Sequence, residues 1–230
     1  MIFLRRFLLC TLLLSIAWQS AFAVPANEAA WRLVSNKQGI KVYMQHREGS
    51  RLKTFRGVTV MQVNDWQAIG AVINDYANAP RWLQYVSSVQ EFGRHSPLDR
   101  DLIFQTELPW PVADREAVVR AHGWTPPGTY DLAIRFENAP GLLPPNEDYV
   151  RCPAFNARFD FHWLGGKQVQ VVYEMVLDPG GYIPEWIANI LLQDAPFITL
   201  KRLAKVINHP EYQGQHLDYI VAPPDFGVER

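Results

Sequence analysis

Cysteine is nearly missing from this sequence: 230 residues carry two, Cys10 and Cys152. Cys10 lies in an apolar N-terminal run, so the rest of the chain holds one thiol and forms no disulfide within itself. An excess of either charge is missing too. Lys and Arg number 22 against 23 Asp and Glu, a formal net charge of −1, which supplies no basic stripe for nucleic acid. Beyond the N-terminus no apolar run approaches the roughly 20 residues of a membrane-spanning helix. The histidines His46, His95, His122, His162, His209 and His216 show no ligand spacing such as HxxxH. No G-x-S-x-G elbow, phosphate-cradling glycine loop or dinucleotide fingerprint occurs. The expectation is therefore no metal, no cofactor and no catalytic constellation. His122 and His162 fall in predicted strands, where a satisfied strand histidine is the expected role.

What is present begins with a targeting pattern. Arg5 and Arg6 precede the apolar stretch from Phe7 to Trp18, and Ala21-Phe22-Ala23 has the small-x-small form of a cleavage site. Residues 1–23 are expected to be a cleaved secretory signal, making the protein periplasmic or extracellular. Its removal leaves about 207 residues with 20 basic and 23 acidic side chains, a size suited to one domain with a sizeable core. A monomer is the expectation for a single domain. Seven of the eight tryptophans remain in that part, so stability has to come from packing.

The patterning alternates between two periods. Asn27 is placed to cap a short helix through Leu33. Ile40, Val42 and Met44 alternate with Lys41, Tyr43 and Gln45, the period of a half-buried strand. A second strand from Leu52 to Val63 pairs with it as a hairpin. Trp66, Ile69, Val72, Ile73 and Tyr76 then fall at helical spacing, and Arg81 to Tyr85 reads as a further short helix. Strands follow at Val86–Phe92, Leu102–Leu108, Ala117–Trp124 and Tyr130–Glu137. After a Pro- and Gly-rich loop over 138–148 comes a hairpin, Ala154–Leu164 and Gln168–Leu177, turning at Gly165-Gly166. Pro184 to Ile207 carries an apolar helical stripe with Pro196 in its middle, either a kink or the first turn of a second helix. Residues 209–230 read as a polar tail. Strands joined by short turns, with helices grouped on one face, mean an α+β fold with an antiparallel sheet.

The chemically unusual stretch is Pro109-Trp110-Pro111-Val112-Ala113-Asp114-Arg115-Glu116. Two prolines rule out a central strand here and make a stiff corner between two strands. Successive strand residues point to opposite faces, so one of the charges after the corner points inward, where it needs a partner. Asp114 is expected to brace the corner.

This order of elements resembles a START domain, the StAR-related lipid-transfer module of helix-grip fold, over nearly the whole of 24–208. The resemblance rests on Trp31, Gly39-Ile40-Lys41-Val42-Tyr43, Phe55-Arg56-Gly57, Pro80-Arg81-Trp82, the Pro109–Glu116 corner, and Gly180-Gly181-Tyr182-Ile183-Pro184-Glu185-Trp186 leading into Pro196-Phe197. It implies a curved antiparallel sheet wrapped around the long C-terminal helix, with an internal apolar cavity that takes a lipid or sterol-like molecule. On that resemblance Phe104, Phe161, Trp163 and Tyr173 from strands, and Trp186, Ile190, Phe197 and Leu200 from the helix, are expected at the cavity. Glu107 is the acidic member of an implied charge pair, with Arg115 or Arg120 as its basic member. The pair either recognises a head group or closes the sheet as a structural ion pair. The resemblance implies a cavity gated by the C-terminal helix and the 138–148 loop, with Leu142, Leu143 and Tyr182 as candidates for gate and transient membrane contact. Tyr182 and Trp186 serve equally as a hydrophobic staple. The runner-up reading is a cyclase- or hydrolase-type enzyme of the wider helix-grip superfamily, acting on a small aromatic or polyketide-like compound. A third is an interaction module whose interior is filled by side chains.

Overall fold

The computed structural model describes residues 31–45 and 52–227, with the backbone alone at 53, 185 and 188–193. The signal-like segment lies outside the described residues, as does most of the predicted first helix. Where that helix was to end, Arg32–Lys37 is instead a strand, β1, whose Leu33 pairs with Tyr43 of β2 (Ile40–Gln45). Pairing along the sheet edge overrides a weak local helical preference.

One antiparallel sheet organises the rest. β3 (Lys53–Gln62), β4 (Val86–Arg94), β5 (Asp99–Thr106), β6 (Arg115–Trp124) and β7 (Leu132–Asn138) are joined by the short β8 (Val150–Arg151), β9 (Ala154–Gly165) and β10 (Gln168–Asp178). The order across the sheet is β1-β2-β3-β10-β9-β7-β6-β5-β4, with β8 parallel to the start of β6. The period-two segments thus became strands where apolar alternation placed them. The long β9–β10 hairpin forms the centre, because both strands carry an uninterrupted inward set: Ala157, Phe159 and Phe161 on one, Val169, Val171 and Tyr173 on the other.

Two helices lie against this sheet. α1 (Gln67–Asn74) buries Ile69, Val72 and Ile73. α2 (Glu185–Val206) runs through Pro196 as a single helix of 22 residues, about 33 Å at 1.5 Å per residue. It seats on the sheet at Gly57, where an added Cβ would stand 2.6 Å from Leu200 Cδ1. The glycine of Phe55-Arg56-Gly57 is therefore what lets helix and strand approach.

Two further segments depart from expectation. Arg81–Tyr85 is not a helix; a 3-10 helix covers Tyr76–Arg81, and Tyr85 has φ of 65°. A tyrosine in the left-handed region ends any right-handed helix. The described residues after Asn208, through 227, are not a loose polar tail. Leu217, Tyr219, Ile220 and Phe226 pack on the core, with Phe226 5.5 Å from the Trp66 ring. Their apolar positions follow no period, so no regular element announces them.

Candidate functional site

Between the concave face of the sheet and α2 lies a partly open, almost wholly apolar cavity. It comprises about 1140 Å³ free of protein atoms, its opening included, of which about 130 Å³ admits the centre of a water molecule. Two aromatic groups stiffen its walls. In one, Phe104 meets Phe136 edge-on at 5.6 Å and Phe155 at 5.7 Å. In the other, Phe159 stacks on Tyr173 at 4.2 Å, with Trp82 and Phe55 each edge-on at 5.7 Å. Such ring pairs prefer offset or edge-to-face contact and hold one another in place. Burial pushes the Tyr173 hydroxyl well above the usual phenol range, and that hydroxyl donates to Met175 Sδ at 3.6 Å.

One end of the cavity is polar. Leu108, Thr106, Arg115, Cys152, Pro179 and Ile183 meet there. Thr106 Oγ1 accepts from the Arg115 backbone N–H at 2.9 Å and donates to its carbonyl at 3.2 Å, which pins the first residue of β6. Asp114 Oδ1 accepts from Leu108 N–H at 2.8 Å, bracing the proline corner as expected. The Arg115 side chain then turns inward and is only 3% exposed. Its guanidinium donates to the Ala113 carbonyl, to Pro179 O at 3.4 Å and to Gly180 O at 3.3 Å. It therefore ties the corner to the loop that precedes α2. Burial holds its pKa below the ordinary arginine value.

The expected charge pair does not form. Glu107 lies past the end of β5 and is exposed; its backbone N–H donates to Tyr85 O at 2.9 Å. Arg120 is an odd number of residues after Arg115, so it points to the opposite face of β6. There it donates to Asp101 Oδ1 at 2.8 Å and is half exposed, and it holds the Asp101 carboxyl below the usual carboxylate range. A buried ion pair does exist at the wall, between Arg151 and Glu116, which itself lines the cavity, at 2.8 Å. Arg151 also donates to the carbonyls of Pro140, Leu143 and Pro144, fastening the 138–148 loop. The sequence reading missed this pair because Arg151 sits in a strand of two residues that no periodicity marks.

Of the other predicted wall residues, Phe104, Arg115 and Tyr173 line the cavity. Phe161 faces inward but borders a smaller hollow beside α1 and Ile220. Trp163 sits at the hairpin end, its Nε1 donating to Gly166 O at 3.1 Å. Leu200 is fully buried between α2 and Gly57, and Phe197 is half-buried with Lys201 over its ring. These four sit one turn or one strand away from the hollow, because an apolar inward face serves core and cavity alike. Trp186 and Tyr182 are 59% and 85% exposed. The side chain of Ile190 lies outside the described residues. Leu142 is 40% exposed, Leu143 is half-buried, and no residue of 138–148 lines the cavity. Trp82, Phe136, Phe155, Phe159 and Cys152 are wall residues the sequence reading did not select; strand alternation on β7 and β9 was the available signal.

Cys152 offers a direct check on this geometry. Burial pushes its thiol up to about 11. The reactive thiolate is thus scarce in the folded protein at about pH 8, whereas an unfolded thiol ionises near 8.5. Alkylation mapped by mass spectrometry should be negligible at Cys152 in the native protein and rapid in denaturant. A raised folded-state value also means that this burial favours folding below about 8.5 and loses that contribution as pH rises toward 11. Ready alkylation of the native protein at about pH 8 would place Cys152 outside a closed wall.

No family model matches the chain. An uncharacterized protein of Pseudomonas aeruginosa is 30% identical over 187 residues, which cover 80% of this chain and 91% of that protein. START domain-containing protein 10 of Mus musculus is 24% identical over 82% of this chain; the match spans only 65% of the mouse protein. Among solved structures, the STAR-related lipid transfer protein fragment of Xanthomonas axonopodis superposes with a TM-score of 0.68. It is 29% identical and matches 77% of this chain and 98% of its own. Sheet order, the helix seated at Gly57, the apolar hollow and these relatives agree: the chain belongs to the START family of StAR-related lipid-transfer domain proteins.

Proposed function

We propose that this protein binds a single lipid-like molecule in the cavity and carries it between membranes after export. The observation that carries this reading is the deep apolar hollow with one polar end, set in a chain related to StAR-related lipid-transfer proteins. The physics is that of transfer from one apolar medium to another. Hiding about 400 Å² of ligand hydrocarbon from water is worth roughly 10 kcal/mol gross at 25 cal/mol per Å², before the entropy of immobilisation. A bilayer offers a comparable gain, so exchange is governed by how readily the cavity opens. The water-accessible part of the hollow is narrow, so a lipid enters as the elements around its polar end part.

The rim at that end carries exposed aromatic rings. Trp110 on the corner is 89% exposed, and Tyr182 and Trp186 flank the loop tied to it by Arg115. Amphipathic rings favour the membrane interface, which makes this rim, with α2 behind it, the membrane-facing gate. The 138–148 loop is the other candidate, since Leu142 projects from it. Vesicle-to-vesicle transfer of a fluorescent lipid separates them. Trp110→Ser combined with Tyr182→Ser is expected to slow transfer about tenfold with the fold intact. Leu142→Asp combined with Leu143→Asp is expected to leave the rate within about twofold; the reverse pattern would move the gate to that loop. Native mass spectrometry of the mature protein from its own host tests the carrier reading itself. A stoichiometric extractable lipid is expected, and a protein that is empty there and inactive in transfer would sink it.

A further inference from the structure

Arg94 and Arg100 are register partners across β4 and β5. Such partners put their side chains on one face with Cβ atoms about 5 Å apart, and like charges so placed repel. Arg100 shares the inward face of β5 with Leu102 and Phe104, about 20 Å along the strand from Thr106 at the polar end of the lipid cavity. It is 6% exposed, and its Nε is buried with no hydrogen-bond partner among the described residues. One carboxylate stands between the two arginines. Glu91 Oε1 accepts from Arg94 Nε at 2.7 Å and Oε2 from Arg94 Nη2 at 3.1 Å. Arg100 Nε lies 3.1 Å from the same Oε2, off the direction of a hydrogen bond. Two guanidiniums over one carboxylate leave one positive charge in excess. The other acids nearby have partners of their own: Asp99 accepts from Ser96 and is paired with His122, Asp101 is paired with Arg120 and His95, and Asp218 with His216.

In front of this pair opens a hollow of about 720 Å³, its wide mouth included, lined by Arg94, His95, Ser96, Pro97, Arg100 and Tyr219. Tyr219 Oη accepts from Asn74 Nδ2 at 3.0 Å, which leaves its own proton to donate. Ser96 Oγ is engaged within its turn by Leu98 N–H, Asp99 N–H and the Asp99 carboxylate, so it takes no part. We propose that this hollow is a phosphate site, with the oxyanion held between Arg94 and Arg100 and Tyr219 as a further donor. The phosphate is either free in solution or the head group of a phospholipid at a membrane surface. Planar guanidinium forks match pairs of phosphate oxygens, and such charge-assisted bonds are about twice as strong as neutral ones. A carboxylate has one edge, which a single fork covers; a tetrahedral oxyanion accepts two forks arriving from different strands. The bound anion cancels the excess charge and converts repulsion across the ladder into a bridge. The site goes beyond the carrier reading and does not depend on it, because its occupant needs no apolar volume and lies a strand's length from the polar end of the lipid cavity.

The test has two arms on the mature protein. In the first, calorimetric titration measures binding of inorganic phosphate and of glycerol 3-phosphate at constant ionic strength in chloride. In the second, co-sedimentation measures binding to phosphatidylcholine vesicles with and without phosphatidylglycerol. Binding is expected in at least one arm, with a dissociation constant for a soluble phosphate at or below about 1 mM if the first arm is the one. Arg94→Gln and Arg100→Gln are each expected to weaken that binding about tenfold or more, while Arg135→Gln on the outer face leaves it within about twofold. Soluble phosphate bound through these arginines, with no gain from phosphatidylglycerol, identifies free phosphate as the occupant. Vesicle binding gained with phosphatidylglycerol and lost in Arg94→Gln identifies the lipid head group. Should Arg100→Gln fail to fold, Arg94→Gln decides alone, since that side chain is 66% exposed. Absence of binding in both arms, or binding indifferent to the two arginines, overturns the assignment and leaves the carrier reading untouched.

Discussion

Ala157→Phe is expected to abolish lipid binding, weakening it more than about tenfold, while the protein remains folded. Ala157 lies mid-way along β9, buried, facing the hollow opposite Met175 and Phe136. A phenyl ring built from that position enters empty space. Strand backbones accept aromatic residues, and the empty volume spares the variant the overpacking that costs about 1–3 kcal/mol in a filled core. The added ring occupies the hollow between the two aromatic groups, where a ligand tail has to lie. Lipid extraction, transfer assays and thermal unfolding on the same preparation separate the outcomes. A variant that is stable and empty locates the ligand in this cavity. A variant that is stable and still binds lipid with unchanged affinity shows that the ligand lies elsewhere. A variant that unfolds well below the parent shows that the space is already filled in solution.

The second large effect concerns the seat of α2. Leu200→Ala is expected to cost about 3–4 kcal/mol of folding stability, in the middle of the range for buried leucines. Leu200 has no solvent exposure, and its Cδ1 rests against the bare Cα of Gly57. Gly57→Ala forces a contact of 2.6 Å with that methyl and 3.4 Å with Pro196 Cβ, expected to cost about 1–3 kcal/mol. The combination should cost less than the sum, because truncating Leu200 frees the space the new methyl requires. Denaturant unfolding of the four proteins gives the coupling energy directly. Strict additivity would mean that α2 does not rest on β3 at this point. Because α2 also contributes Ala195 to the cavity wall, Gly57→Ala is expected to raise the rate of ligand exchange even where the protein stays folded.

Much of this architecture is legible in the sequence. Alternation at Ile40–Gln45 and across Ala154–Leu177 specifies strands because a pleated backbone has a side-chain period of two, and a buried face tolerates no slip. The Pro109–Pro111 corner is equally legible, since two prolines cannot continue a ladder. From the corner alone it follows that one of its charges points inward. Arg115 is one, and Glu116 beside it is buried as well, paired with Arg151.

What the sequence does not carry is the partner. Two of the three acceptors of Arg115 are carbonyl oxygens at Pro179 and Gly180, more than sixty residues away. Every residue has such an oxygen, so no side-chain pattern marks it. The assignment of Glu107 and Arg120 failed for a related reason. Facing depends on where β5 ends and on the register of β6, and one residue of offset reverses it. The C-terminal segment shows the same limit: Ile220 and Phe226 pack on the core without a period, as the shape of the space beside α1 dictates. By itself, then, the sequence determined most of the strands, the long helix, their order, the stiff corner and the need for an inward charge (Arg115 is the cation), because these follow from local periodicity and backbone chemistry. Only the tertiary structure decided which inward residues border empty space and which fill it, and what faces that cation, because both depend on atoms brought together from distant parts of the chain.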